Sequence, residues 1–220
     1  MTAGLSDREI EDLLPLGSLE RVARRALVPL DRPALMVVVD GFFRIYRNAA
    51  FVRDVSLGLA ARGDVLNAAA AFEERGAETG AEALSDGSIL MLSKAAWDQA
   101  TAADPSLSVA LAGSVARRLT RLERRVEEQT RSGVEARVAA ALVELADAFG
   151  TATDAGVRLD LPLSQEDLAR LAGTTRENCS AIVAALARAG LVRGGRLRGM
   201  TVLDPAGLRR AADQTALPQA

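Results

Sequence analysis

The chain has 220 residues, enough for two modest domains with cores of their own. It carries 27 Lys and Arg against 29 Asp and Glu, no histidine and one cysteine. That inventory excludes an internal disulfide, an imidazole-ligated haem or zinc site, and an iron–sulfur cluster held by several thiolates. The start, MTAGLSDREIEDLL, is acidic and amphipathic. It suits a short helix and lacks the basic head and apolar core of a signal peptide. No run of about 18 apolar residues occurs, so no membrane span is expected. A single cysteine suits the reducing cytoplasm.

Residues 19 to about 98 contain strand-like pieces. Ala34 to Val39 is an apolar run bounded by Pro33 and by Asp40-Gly41. Phe42 to Arg47 and Phe51 to Leu59 read as two further strands, with a short turn at Asn48 to Ala50. Gly63-Asp64 marks another turn and Ser88 to Leu92 another strand. Short strands followed by a long helix suggest a β-roll or jelly roll. Phe42, Phe43, Tyr46 and Phe72 are candidates for lining a pocket in it, with core packing as the alternative.

Asp104 is an N-cap candidate and Pro105 a first-turn proline, and no proline follows to about Gln129. Leu107, Leu111, Val115, Leu119, Leu122 and Val126 then recur at steps of three or four. This apolar stripe is wide enough for two partners, its own domain and a twin subunit. Arg117, Arg118, Arg121, Arg124, Arg125 and Arg131 line the same helix with Glu123, Glu127 and Glu128 between them, as a solvated face would. Gly133 breaks the helix. Val134, Val138, Leu142, Leu145 and Phe149 form a second amphipathic helix, and 150–160 reads as a linker.

Residues 161–203 spell two short helices around a tight turn, then a basic hairpin. Ser164 caps the first helix, and Asp167 three residues on completes a capping box. Leu168, Leu171 and Ala172 share its apolar face. Gly173 ends it, because glycine accepts the left-handed conformation that a tight turn needs. Thr174 and Thr175 are cap candidates for the next helix, with Thr175 preferred. Its inner face is Cys179, Ile182, Val183 and Leu186, and Gly190 stops it. Cys179 reads as a small buried apolar residue rather than a redox switch. Its first exposed residues are Arg176, Glu177 and Asn178, where a recognition helix reads base edges. Arg176 can hold guanine through two hydrogen bonds, and Glu177 can accept from the cytosine amino group. Ser180, one turn on, reaches a base or a phosphate. Leu191-Val192 and Met200 to Leu203 form a hairpin turned at Gly194-Gly195. Arg193, Arg196 and Arg198 decorate it with charge suited to phosphates. Residues 161–220 hold eight arginines and no lysine against five acids, a local charge of +3 that leaves −5 for the rest. The last ten residues, from Ala211, read as a frayed end.

These motifs carry a resemblance. S-Q-E-D-L-A (164–169), G-T-T-R-E-N-C-S (173–180), A-G-L-V (189–192) and T-V-L-D-P (201–205) resemble the winged helix of the CRP/FNR transcription regulators. The order of strand, A-R-G-D-V-L (61–66), short helix, strand, Trp97 and long helix is similar to their cyclic-nucleotide-binding-like domain. The resemblance implies an α+β chain in three parts. These are a β-roll sensor domain with a short N-terminal helix over 1–103, a dimerisation helix over 104–131 and a winged helix-turn-helix over 132–220. It further implies a homodimer through the stripe Leu107, Leu111, Val115, Leu119, Leu122 and Val126. Its recognition helices would lie about 34 Å apart on a near-palindromic double-stranded site. DNA contacts are expected from Ser164, Thr175, Arg176, Glu177, Asn178, Ser180, Arg193, Arg196 and Arg198. Many members carry a second arginine where this chain has Ala181, which bears on base preference.

In cyclic-nucleotide-binding relatives a glutamate after G-D holds the ribose, and an arginine about ten residues later holds the cyclic phosphate. Those places fall near Ala68 and Glu78, with Arg75 available to a shifted register. Alanine offers no acceptor, and a glutamate repels phosphate. Cyclic AMP is therefore not expected as a tight ligand. An unidentified small molecule, a protein effector and RNA polymerase remain candidate partners, and no cofactor, metal or membrane is expected. With no phosphate loop, nucleophile elbow or histidine base, the chain is not expected to be an enzyme. The alternative of another class is a regulatory module whose winged helix docks a protein rather than DNA.

Overall fold

The computed structural model describes residues 4–30, 34–49, 52–72, 79–131, 133–194 and 197–213, with backbone alone for 48–49, 52–55, 121 and 124–131. The chain divides into two compact units, Met1–Glu123 and Arg124–Ala220. The division falls within the long helix rather than at either of its ends.

The first unit opens with α1 (Asp7–Leu13), capped by Ser6 and Glu9 in a reciprocal box. Seven strands follow: β1 (Ser18–Val22), β2 (Leu27–Pro29), β3 (Ala34–Asp40), β4 (Phe43–Ala49), β5 (Val52–Ala60), β6 (Gly80–Ala83) and β7 (Gly87–Ser93). They build two antiparallel sheets, one in the order β1-β7-β3 and one in the order β2-β6-β4-β5. Met36, Val38 and Ile89 from the first sheet share a core with Phe43, Ile45, Ala81 and Ala83 from the second. The alternate residues Leu35, Val37, Leu90 and Leu92 face the other way, onto Ile10, Leu13, Trp97, Leu107 and Leu111. Strand β3 is thus buried on both faces, which is why it reads as a continuous apolar run rather than an alternating one. Two helices end the unit: α2 (Lys94–Ala103), capped by Ser93, and α3 (Ser106–Arg131). Asp104 Oδ1 accepts from the Ser106 amide (2.9 Å) and hydroxyl (2.6 Å), securing the start of α3. Those bonds hold the Asp104 carboxyl below its ordinary value.

The second unit contains α4 (Val134–Phe149), β8 (Thr151–Thr153), β9 (Gly156–Asp160), α5 (Gln165–Leu171), α6 (Arg176–Arg188), β10 (Val192–Arg193), β11 (Arg198–Val202) and α7 (Pro205–Asp213). Its sheet runs β10-β11-β9-β8, all antiparallel. Helix α4 packs on α5, α6 and α7, and its Val138, Leu142 and Leu145 are fully buried.

Several expectations are corrected. The stretch 150–160 is not a linker: Thr151–Thr153 and Gly156–Asp160 form a hairpin, and β9 pairs along β11. Gly156 makes the tight turn at φ +123, where an added Cβ would meet the Val202 carbonyl at 2.1 Å. Ala211 to Asp213 are the last turn of α7 rather than a frayed end, and 214–220 lie outside the described residues. Asn48 and Ala49 continue β4, with Ala49 opposite Val52. Phe72 is 74% exposed and takes no part in the core, whereas Phe43 and Tyr46 are buried. Among the described residues no helix is long and apolar enough to cross a membrane.

The apolar stripe on α3 also divides. Leu107 and Leu111 are 3% and 1% exposed and belong to the core of their own unit, so they cannot meet a second copy. Val115 and Leu119 are 43% and 55% exposed, and Leu122 is half-buried. The Val126 side chain lies outside what is described. Val109 is 73% exposed, on a different side of the helix from Val115 and Leu122.

Candidate nucleic-acid interface

Helix α5 is seven residues long and owes its start to a closed cap. Ser164 Oγ accepts from the Asp167 amide (3.2 Å), while Asp167 Oδ2 accepts from the Ser164 amide (2.8 Å) and hydroxyl (2.7 Å). Asp167 is 2% exposed, so this carboxylate is part of the domain interior. The Ser164 hydroxyl is engaged in the cap that starts α5. Leu168, Ala169, Leu171 and Ala172 are buried.

The turn follows at Gly173, with φ +63. The Thr174 amide returns to the Ala169 carbonyl at 2.9 Å and the Gly173 amide to Arg170 at 3.4 Å, closing the end of α5. Thr175 then takes the N-cap of α6, its side chain accepting from the Asn178 amide at 3.3 Å. Cys179 and Val183 are buried, and Ile182 and Leu186 half-buried. Burial pushes the Cys179 thiol up to about 11. The opposite side of the same turn is open: Thr175, Arg176, Glu177 and Asn178 are exposed, and Ser180 is half-buried. The cap and the inner face together therefore aim a guanidinium and a carboxylate outward from the first turn of a 13-residue helix. Its amide end adds partial positive charge that suits a phosphate.

The hairpin lies beside this helix, with β10 packed against α6. Arg193 and Arg198 are exposed on β10 and β11, flanking Gly194 (φ +101) and Gly199 (φ +81). Arg196 falls outside the described residues. Cross-strand register places Arg193, Thr201, Arg158 and Thr151 in one row across all four strands. In the adjacent row Val192 and Val202 are buried and Val157 is half-buried, while Ala152 on the edge strand is exposed. Arg158 is a basic residue that the linker reading concealed. The signal for it was present in the alternation of Val157 and Leu159 with Arg158 and Asp160 after the Asp154-Ala155-Gly156 turn.

In the first unit, Gly63 takes φ +87 and is followed by a 3-10 turn at Ala68–Ala71. Ala68 is packed against the apolar core, and Arg118 directs Nη1 at the carbonyls of Val65 (3.5 Å) and Leu66 (3.4 Å). Arg75 and Glu78 lie outside the described residues.

Known proteins with these features form a consistent set. The family model of the Crp-like helix-turn-helix domain matches residues 136–211. A CRP-like cAMP-activated global transcriptional regulator of Mycobacterium tuberculosis is 29% identical over 175 residues, covering 80% of this chain and 76% of the relative. Among solved structures, a CooA mutant from Carboxydothermus hydrogenoformans superposes with a TM-score of 0.77, at 19% identity over 96% of this chain and 99% of its own. FixK2 from Bradyrhizobium japonicum does so with 0.75, at 21% identity over 91% and 99%. At these identities the structures bear on the fold. The helix-turn-helix match and the M. tuberculosis relative carry the likeness into the DNA-binding module: the chain has a Crp-like helix-turn-helix domain and is similar to transcription regulators of the CRP/FNR type.

Proposed function

We propose that the chain works in the cytoplasm as a homodimer that reads a near-palindromic DNA site, with Arg176 on guanine and Glu177 on cytosine in each half. The observation that carries this is the first turn of α6, where Arg176, Glu177 and Asn178 are exposed while Cys179 and Val183 hold the helix to the domain. Thr175, Ser180, Arg193, Arg196 and Arg198 supply further polar and phosphate contacts, and Arg158 extends the basic row on the sheet. The exposed part of the α3 stripe, Val115, Leu119 and Leu122, is the dimer seam. The activity is regulatory rather than catalytic, and RNA polymerase and an effector are its further partners.

Cyclic AMP is not the effector in this reading. Ala68 gives the ribose no side-chain acceptor, and its methyl group is packed against the core. Isothermal titration should show no saturable heat with cyclic AMP, and micromolar binding would overturn this point.

Selection from random duplex DNA tests the base-reading role. The wild-type chain should enrich a two-fold symmetric motif, and Arg176→Ala should relax one position in each half. That variant should lose about 1–3 kcal/mol of discrimination there. An unchanged motif and affinity would remove Arg176 from the reading surface.

A further inference from the structure

Helix α6 is tied to the rest of its domain at a point outside the surface that faces DNA. Arg137 lies in the first turn of α4, between the buried residues Ala136 and Val138, and is itself half-buried. Its Nε donates to the Ala172 carbonyl at 3.1 Å, across 35 residues of sequence. Ala172 is the C-cap of α5, 4% exposed, and only three residues separate it from Arg176.

Three carbonyls before that of Ala172 have local partners. Leu168 accepts from the Ala172 amide, Ala169 from Thr174, and Arg170 from Gly173. The Ala172 carbonyl points out of the last turn instead and receives a side chain. A helix end leaves its last carbonyls without intrahelical donors, and a cation there also meets the negative end of the helix dipole. A bond from a guanidinium is stronger than one between neutral groups. The turn it fastens has no wedge of its own, because Gly173 is left-handed and an added Cβ would find nothing within 4 Å. Backbone bonds and this arginine therefore fasten the turn from which α6 departs, while Cys179 and Val183 hold the helix body to the domain.

The anchor at the other side is firm. Helix α4 is buried along Val138, Leu142 and Leu145. Farther along it, Asp147 receives both Nη atoms of Arg209 from α7, a two-point clamp that also raises the Arg209 pKa.

We propose that Arg137 is a positioning residue for sequence reading. It holds the Ala172 turn so that the first turn of α6 meets base edges in register, and it makes no contact with DNA itself. This rests on the reading of α6 as the recognition helix. Its effect is confined to specific binding, since phosphate contacts tolerate small reorientations and base contacts do not.

Arg137→Met keeps the apolar stem and removes every donor. Arg137→Lys restores one donor on a stem of similar length. Each is measured by fluorescence anisotropy on the selected site and on scrambled duplex across salt concentrations, with thermal unfolding alongside. The Met variant should bind the selected site about tenfold more weakly. Its affinity for scrambled duplex and its salt slope should match wild type. The Lys variant should recover most of the loss. If the Met variant does not fold, the Lys variant decides. The amide nitrogen shift of Gly173, whose peptide bond contains the Ala172 carbonyl, should then move together with a smaller loss of specific binding. A moved signal with unchanged specificity would overturn the assignment. Equal losses on both duplexes, or none on either, would also overturn it while leaving α6 as the reading helix. A wild-type chain with no sequence preference would overturn the α6 reading as well.

Discussion

Arg44 and Glu82 stand directly opposite each other on β4 and β6, with Arg44 Nη2 at 2.7 Å and Nε at 3.2 Å from the same carboxylate oxygen. Both side chains are about 95% withdrawn from solvent, at 4% and 6% exposure. Arg44 also lies over the Tyr46 ring, 4.9 Å from its centroid. The other Glu82 oxygen is 3.5 Å from Arg25, the one non-glycine residue with positive φ among the described residues. Removing one partner of a buried pair leaves the other charge without compensation, a cost of about 3–5 kcal/mol. Glu82→Ala should therefore lower the stability of the first unit by that amount in urea denaturation. Replacing both residues by apolar ones of similar volume should cost far less. A small effect from the single change would show that the pair is solvated in solution.

A second stability prediction concerns Cys179. Its thiol holds a proton up to about 11 in the folded chain because burial penalises the thiolate. An unfolded thiol ionises at about 8.5. Between those values the folded state binds more protons than the unfolded state, so stability falls as pH rises through that interval and is unaffected by the thiol below it. Cys179→Ala should remove this part of the alkaline decline. Native protein at pH 8 should react with a disulfide reagent only as fast as it unfolds. Rapid labelling of the native state would contradict the burial.

Much of this domain was legible because local chemistry and tertiary packing agree there. Ser164 with Asp167, Thr175, and the glycines at 173 and 190 each have a single strong physical preference, and the folded chain uses all four. Strands β3, β4, β5 and β7 were visible as apolar or alternating runs. The strands β1, β2 and β6 were not, because four of the five residues of β1 are exposed and β6 is Gly-Ala-Glu-Ala. Glu82 argues against a buried strand until Arg44 is seen across from it. The division of the α3 stripe was hidden for another reason. Leu111 and Val115 are both apolar at helical spacing, and only the position of the roll decides which of them is covered. Arg137 carries no local signal, since its partner is a backbone carbonyl 35 residues away.

The arginines on the hairpin should act through charge rather than through sequence. Arg193 is exposed on β10 beside α6 and lies in the row with Arg158. A phosphate contact contributes to all sequences alike and releases about one counterion. Arg193→Ala should therefore weaken selected and scrambled duplexes by a similar factor and reduce the salt slope by about one. A loss restricted to the selected site would instead assign Arg193 to base reading.

The outward half of the α3 stripe should control assembly, and the inward half folding. Val115 and Leu119 are about half exposed, and Leu111 is 1% exposed in the core with Leu107 and Trp97. Val115→Glu with Leu119→Glu places two carboxylates at the proposed seam. In a dimer they would face a second pair without partners. The double variant should sediment as a monomer with near-normal helix content. It should lose affinity for the full two-half site while keeping weak binding to one half. Leu111→Ala should behave in the opposite way. It leaves a cavity between α3 and the sheet and should cost about 2–5 kcal/mol of stability. Its assembly should remain dimeric at temperatures where it is folded. If Val115→Glu/Leu119→Glu still sediments as a dimer, the subunits join through some other surface.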